Sequence, residues 1–264
     1  MFKITFLFFL LMSSILPCNA QTQIVTGADQ WESYKEILGQ KNIGVVAHQA
    51  SLVHSKTHLI DTLLSLKVSI KKVFAPEHGF RGNADAGERV EDQKDNKTGL
   101  PILSLYGSNK KPSKESLEGI SIMLFDLQDV GVRFYTYLST LHYVMEACAE
   151  NGISLIILDR PNPNAHYTDG PILEKDCKSF VGMHPVPIVS GMTIGEYAKM
   201  INGERWLNGG IQCDLTVIPL KNYTHQTIFE LALRPSPNLP NAQSIALYPS
   251  LCLLEPTVIS IGRG

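Results

Sequence analysis

Ile120-Ser121-Ile122-Met123-Leu124-Phe125 is followed by a polar link, by the helical stretch Phe134 to Glu150 with Asn151-Gly152 behind it, and by Ser154-Leu155-Ile156-Ile157-Leu158. The outer segments are short, continuous apolar runs, which is how strands buried on both faces read. The middle segment is long enough for several helical turns, and Asn-Gly is a usual helix stop. Strand, helix and strand in this order predict a parallel sheet covered by helices.

The same alternation extends outward. Toward the N-terminus the pattern predicts a helix over Trp31–Leu38, a buried strand over Ile43–Ala47, a helix over His58–Leu66 and a strand over Ile70–Ala75 that stops at Pro76. Arg81 to Thr98 is polar and glycine-containing and reads as a long loop over a site. Leu100–Tyr106 reads as a further strand, and Ser113 is placed to cap a short helix through Leu117. After Pro185, Pro187 and Gly191 the pattern changes to a helix over Thr193–Ile201, a strand over Asp214–Pro219 and a proline- and asparagine-rich stretch from Arg234 to Pro256. The chain therefore reads as α/β: a signal segment over 1–20, a parallel-sheet domain over 21–184, and the start of a second, mixed α+β domain over 185–264. The ending Ile259-Ser260-Ile261-Gly262-Arg263-Gly264 carries no cap or polar tail, so the second domain is expected to be incomplete.

Residues 1–20 have Lys3, an apolar run from Ile4 to Ile15, and Cys18-Asn19-Ala20 before a cleavage point, which predicts export to the periplasm or beyond. The run is too short for a good membrane span, so no stable insertion is expected once it is removed. Lipidation at Cys18 is disfavoured by Pro17. A 264-residue chain that is 44% hydrophobic and 18% charged can build a packed core. A net charge of −2 without a basic run excludes a typical nucleic-acid binder. Cys148, Cys177, Cys213 and Cys252 lack CxxC spacing; buried thiols are expected rather than a zinc site.

Ligands of open parallel sheets bind beyond the carboxyl ends of the strands. Those ends deliver His48 and Gln49; Glu77 and His78; Asp126, Gln128, Asp129 and Arg133; and Asp159, Arg160 and Asn162. A carboxylate-rich cleft suits glycoside hydrolysis, where one acid protonates the leaving oxygen and a second carboxylate attacks carbon or activates water. Glu77, fixed between Pro76 and Gly79, is the leading general acid/base. Asp126 and Asp129 compete as its partner, Asp129 also being placed to cap the following helix. Tyr135 and Tyr137 stand two apart on the expected helix, so one of them is expected to see the site. A metal-dependent hydrolase using His48, Glu77, His78, Asp126 and Asp159 is the second reading, though no metal-ligand spacing supports it. A cell-wall binding protein without catalysis is the third. No GxGxxG follows the first strand, so no nucleotide cofactor is expected.

Ala-Pro-Glu-His-Gly-Phe-Arg-Gly at 75–82, Thr-Gly-Leu-Pro at 98–101, Ser-Leu-Tyr-Gly at 104–107 and Phe-Asp-Leu-Gln-Asp-Val-Gly-Val-Arg-Phe-Tyr-Thr-Tyr at 125–137 resemble the NamZ-type exo-β-N-acetylmuramidases. Leu-Asp-Arg-Pro-Asn-Pro at 158–163, Asp-Gly-Pro at 169–171, Ser-Phe-Val-Gly at 179–182, Gly-Met-Thr at 191–193 and Ser-Pro-Asn-Leu-Pro at 236–240 continue the resemblance. It implies a Rossmann-like domain, a smaller second domain, and release of N-acetylmuramic acid from the non-reducing end of peptidoglycan fragments, without a metal or other cofactor. It puts catalysis on Glu77 and adds Asp169, where relatives carry glutamate, to the competing carboxylates. Ser190 stands where histidine is expected, and His48 where asparagine is usual. The muramic acid lactyl carboxylate calls for a cation, for which Arg81, Arg133 and Arg160 are the candidates.

Overall fold

The computed structural model describes residues 23–80, 92–255 and 257. The expected signal segment and Arg81 lie outside the described residues. After helix α1 (Trp31–Leu38), strand β1 (Ile43–Ala47) is buried at every position and forms the middle of the sheet. A two-stranded hairpin, β2 (Leu52–Val53) and β3 (Thr57–His58), leads into α2 (Leu59–Ser65) and β4 (Ile70–Ala75). Short β5 (Gln93–Lys94), β6 (Pro101–Ser104) and β7 (Ile122–Asp126) follow, then α3 (Tyr137–Asn151) and β8 (Ser154–Leu158). The described chain ends with α4 (Ile194–Gly203), β9 (Leu215–Ile218) and α5 (Ala242–Leu251).

Seven strands make one sheet in the order β5-β6-β4-β1-β7-β8-β9. All pairs are parallel except β5 with β6 at the edge. The alternation of side chains sends Val46, Phe74, Met123, Phe125, Leu155 and Ile157 to one face, under α3 and α4. Val45, Ala47, Val73, Ala75, Leu124, Ile156 and Leu158 go to the other, under α1 and α2. Both faces being dry explains why the strands read as unbroken apolar runs. Gly44 is needed at the centre, because a Cβ there would stand 2.9 Å from Ile120 and 3.0 Å from Phe74. α3 ends as the sequence predicts: Gly152 adopts a left-handed conformation at φ 64°, and the Ile153 N–H reaches back to the Cys148 carbonyl at 3.0 Å.

Four expectations change. Ser113–Leu117 forms turns rather than a helix, and β5 lies within the segment read as a loop. Residues 185–255, expected to open a second domain, place Val186, Ile188, Tyr197 and Tyr248 in the same apolar cluster as β7 and α3. β9 also pairs with β8, so the irregular stretch 169–191 is a strap laid on the same core, not a break in it. Of the four cysteines, Cys148, Cys213 and Cys252 are buried free thiols, but Cys177 is exposed on that strap. No helix among the described residues is long and apolar enough to cross a membrane.

Candidate active site

Register puts the strand ends level. Val46 pairs with Phe74 on one side and Phe125 on the other, and Phe125 pairs with Ile157. His48, Glu77, Asp126 and Asp159 therefore emerge along one edge, as the sequence reading requires.

Glu77 sits in a tight turn closed by the Gly79 N–H on the Pro76 carbonyl at 3.0 Å. His78 and Gly79 both take positive φ, 69° and 76°. A non-glycine residue in the left-handed region is strained, and His78 is held there by burial. Glu77 is half-buried. Its Oε2 accepts a hydrogen bond from Thr136 Oγ1 at 2.8 Å. Thr136 is the N-cap of α3 but makes no side-chain cap, so its hydroxyl serves Glu77 instead of the helix. Burial, together with the charge of Glu77 and a hydrogen bond to it, pushes the Tyr106 hydroxyl up to about 12.

His48 lies beneath, fully buried. Its Nε2 accepts the Gln128 backbone N–H at 2.9 Å. A backbone amide can only donate, so the neutral ring carries its hydrogen on Nδ1, which meets the Tyr137 hydroxyl at 3.2 Å. Tyr137 in turn lies 3.4 Å from the Glu77 carbonyl. Burial, then the Arg160 charge, holds His48 well below the ordinary imidazole value. His48 is a neutral support.

The carboxylates differ sharply in what they touch. Asp126 is fully buried and gripped on both oxygens by Arg160, at 2.5 Å from Nε and 2.8 Å from Nη2. Asp159 accepts from the Arg160 and Gly195 N–H groups and from Thr193 Oγ1, at the N-terminus of α4; burial still pushes it up to about 6. Asp169 is exposed, with Oδ1 on the Gly170 N–H of its own turn. Asp129 accepts from the Gly131 N–H at 2.6 Å, while its Oδ2 is buried without a hydrogen-bond partner. Burial, only partly offset by the Gly131 and Val130 amides, pushes Asp129 up to about 7. It does not cap α3, which starts eight residues later.

The remaining predicted residues are mostly builders. Gln49 Nε2 ties the end of β1 to the Pro235 carbonyl at 2.9 Å. Gln128 Nε2 reaches the Pro161 carbonyl, and Asn162 bridges to the Met192 carbonyl and the Asn164 N–H. Arg133 Nη1 donates to the carbonyls of Pro171 and Val186, while its buried Nε has no partner. Tyr135 and Tyr137 do not diverge. Their rings meet edge to face at 4.7 Å, because Tyr135 precedes the first helical turn. Thr136, Tyr106 and Phe180 were not singled out from the sequence. Only their place in the motifs around 104–107, 125–137 and 179–182 pointed to them. Beside this group, a cavity of about 440 Å³ opens over the ends of β1, β7 and β8, lined by Ala50, Gln128 and Arg160 and by Ile228–Leu233. Among the described residues no three His, Cys, Asp or Glu side chains converge at metal-ligand spacing.

Residues 43–243 match the family model described as exo-beta-N-acetylmuramidase NamZ, N-terminal. The chain belongs to the NamZ exo-β-N-acetylmuramidase family. Within it, the chain is 43% identical over 249 residues to the peptidoglycan beta-N-acetylmuramidase NamZ of Bacillus subtilis (strain 168), covering 92% of this chain and 59% of that protein. Two solved structures share the fold, both DUF1343 family proteins of Bacteroides fragilis NCTC 9343. BF0379 matches with a TM-score of 0.84 at 50% identity over 92% of this chain and 65% of that one. BF0371 matches with a TM-score of 0.79 at 33% identity over 88% and 60%. The chain thus spans less than two thirds of the length of each of these relatives.

Proposed function

We propose that this chain carries the catalytic edge of an exported glycoside hydrolase that releases N-acetylmuramic acid from the non-reducing end of peptidoglycan fragments, acting in the periplasm or outside the cell. The reading is carried by Glu77: a half-buried carboxyl at a strand end, hydrogen-bonded by the Thr136 hydroxyl and near that of Tyr106, with no described cation bonded to it. Hydroxyl partners hold a carboxyl in place without locking its charge, which suits a group that must give and regain a proton.

In this scheme Glu77 donates its proton to the glycosidic oxygen as the bond from that oxygen to the anomeric carbon breaks. Water then supplies the new bond to that carbon, and the proton it loses passes to a carboxylate of the site, which restores the acid for the next turnover. Asp129 is the second carboxyl group of choice. Asp126 is neutralised by Arg160, Asp159 anchors α4, and Asp169 is exposed on the strap. Asp129 alone combines burial, a spare oxygen and a titration near neutrality. The charges of both Glu77 and Asp129 are felt at Tyr137.

The test is hydrolysis of a chromogenic N-acetylmuraminide and the matching glucosaminide by the purified chain and by Glu77→Gln. Turnover of the muraminide that disappears in the folded variant is the expected result. Near-normal turnover by Glu77→Gln would refute the assignment.

A further inference from the structure

An aromatic wall leads away from Glu77. Tyr106 stands two residues beyond β6, near enough to Glu77 for that carboxylate to help raise its hydroxyl. The Phe180 ring, on the strap, stands 6.5 Å from that of Tyr106 at 53°. It also stacks on Tyr143 of α3, at 6.1 Å and 19°. Ser139 Oγ donates to the Phe180 carbonyl at 2.5 Å, so the Phe180 backbone is tied to α3. Tyr106, Tyr143 and Phe180 are all only partly buried, which is unusual for three adjacent rings with a core available beneath them.

Lys110 completes the row, its Nζ 4.5 Å from the Phe180 centroid. Its neighbour Lys111 is consumed by Glu146 and Glu150, both at 2.7 Å. Lys110 pairs with no carboxylate among the described residues. A cation–π contact positions an ammonium without neutralising it, and leaves its N–H groups for an incoming anion. Of the three arginines considered for that task, Arg160 holds Asp126 and Arg133 spends Nη1 on the strap carbonyls, while Arg81 lies outside the described residues.

We infer that Tyr106, Phe180 and Lys110 form the subsite for the terminal N-acetylmuramic residue, the rings taking the apolar face of the sugar and Lys110 its lactyl carboxylate. This deepens the muramidase reading and rests on it. A pyranose with a three-carbon acid substituent needs these two things, a flat apolar surface and a cation beyond it, next to the group that protonates its glycosidic oxygen.

The experiment compares the chromogenic N-acetylmuraminide with its lactyl methyl ester, in wild type, Lys110→Gln and Phe180→Leu, each checked for fold by circular dichroism. Lys110→Gln is expected to raise KM for the free acid about tenfold, with kcat little changed and the ester unaffected. Phe180→Leu is expected to raise KM for both. Equal effects of Lys110→Gln on acid and ester, or none on either, overturn the role of Lys110; unchanged KM in Phe180→Leu overturns the stacking role. Should wild type hydrolyse neither substrate, the glycosidase reading falls. Calorimetric titration with free N-acetylmuramic acid and N-acetylglucosamine then decides the subsite alone. Loss of the preference for the acidic sugar in Lys110→Gln supports it, and an unchanged preference overturns it.

Discussion

Glu77 and Asp126 leave the same sheet edge at the ends of β4 and β7, with only β1 between those strands. Asp126 is wholly buried, and a guanidinium occupies both of its oxygens. Glu77 is partly exposed and meets hydroxyls. The difference separates architecture from chemistry. A carboxylate gripped on both oxygens by a buried cation is held as a structural ion pair, whereas one met by a hydroxyl remains open to a substrate. Charge alone, which is all the sequence displays, does not tell the two apart.

The contrast can be broken from either end. Glu77→Gln should lower muraminide turnover by about a thousandfold or more, with stability changed by less than ~1 kcal/mol; steady-state kinetics and thermal unfolding report the two. Asp126→Asn should do the reverse first, costing about 3–5 kcal/mol in urea unfolding because it strands the buried Arg160 charge. The double variant Asp126→Leu with Arg160→Met should lose less than Asp126→Asn alone.

Asp129 sharpens the comparison, being buried like Asp126 but uncompensated. Its folded value, about 7, lies above the ordinary 3.8, so the fold favours the neutral form. The stability this contributes is complete below pH ~4 and is lost as pH rises through about 7. Asp129→Asn should therefore be more stable than wild type at pH 8, by an amount on the order of 4 kcal/mol at ~1.4 kcal/mol per pH unit, and equal to it near pH 4. It should also lack any activity limb near neutrality. Thermal unfolding across pH and the pH–rate profile check these.

A second buried chain offers a smaller test of opposite sign. Tyr197 meets His184 Nδ1 at 3.1 Å, and His184 Nε2 meets His142 Nδ1 at 2.9 Å. Burial drives His142 down to about 4 and His184 to about 3. Depressed histidines protonate first in the unfolded chain, so stability present above pH ~6.5 is lost as pH falls toward about 4. His142→Gln should flatten that acid slope in unfolding titrations between pH 7 and 4.5. The smallest effect expected is that of Thr136→Ala, about fivefold in kcat, since it removes one neutral donor from Glu77.

The strands, their order of ends and the presence of Glu77 on the edge were legible because each rests on local pattern: an apolar run, then Pro76; a helix, then Gly152. The partners were not. Thr136 and Glu77 are separated by 59 residues, and Arg160 and Asp126 by 34, and no local signal says which acid a given cation will reach. Arg160 was read as a partner for substrate, and it grips both oxygens of Asp126. The tyrosine pair was misjudged for a simpler reason. The helix begins at Tyr137 rather than Phe134, so helical spacing did not apply to residue 135. Phe180 escaped notice because the strap carrying it has no periodicity, and its position depends on Ser139 and Tyr143 of a distant helix.

His48 has one accepting and one donating end, and the sheet decides which is which. The ring works as a connector of fixed polarity: it receives from the Gln128 amide and gives to the Tyr137 oxygen, leaving the Tyr137 hydrogen to turn toward the Glu77 loop. The histidine is therefore a directional link, and it imposes one orientation on the Glu77 loop.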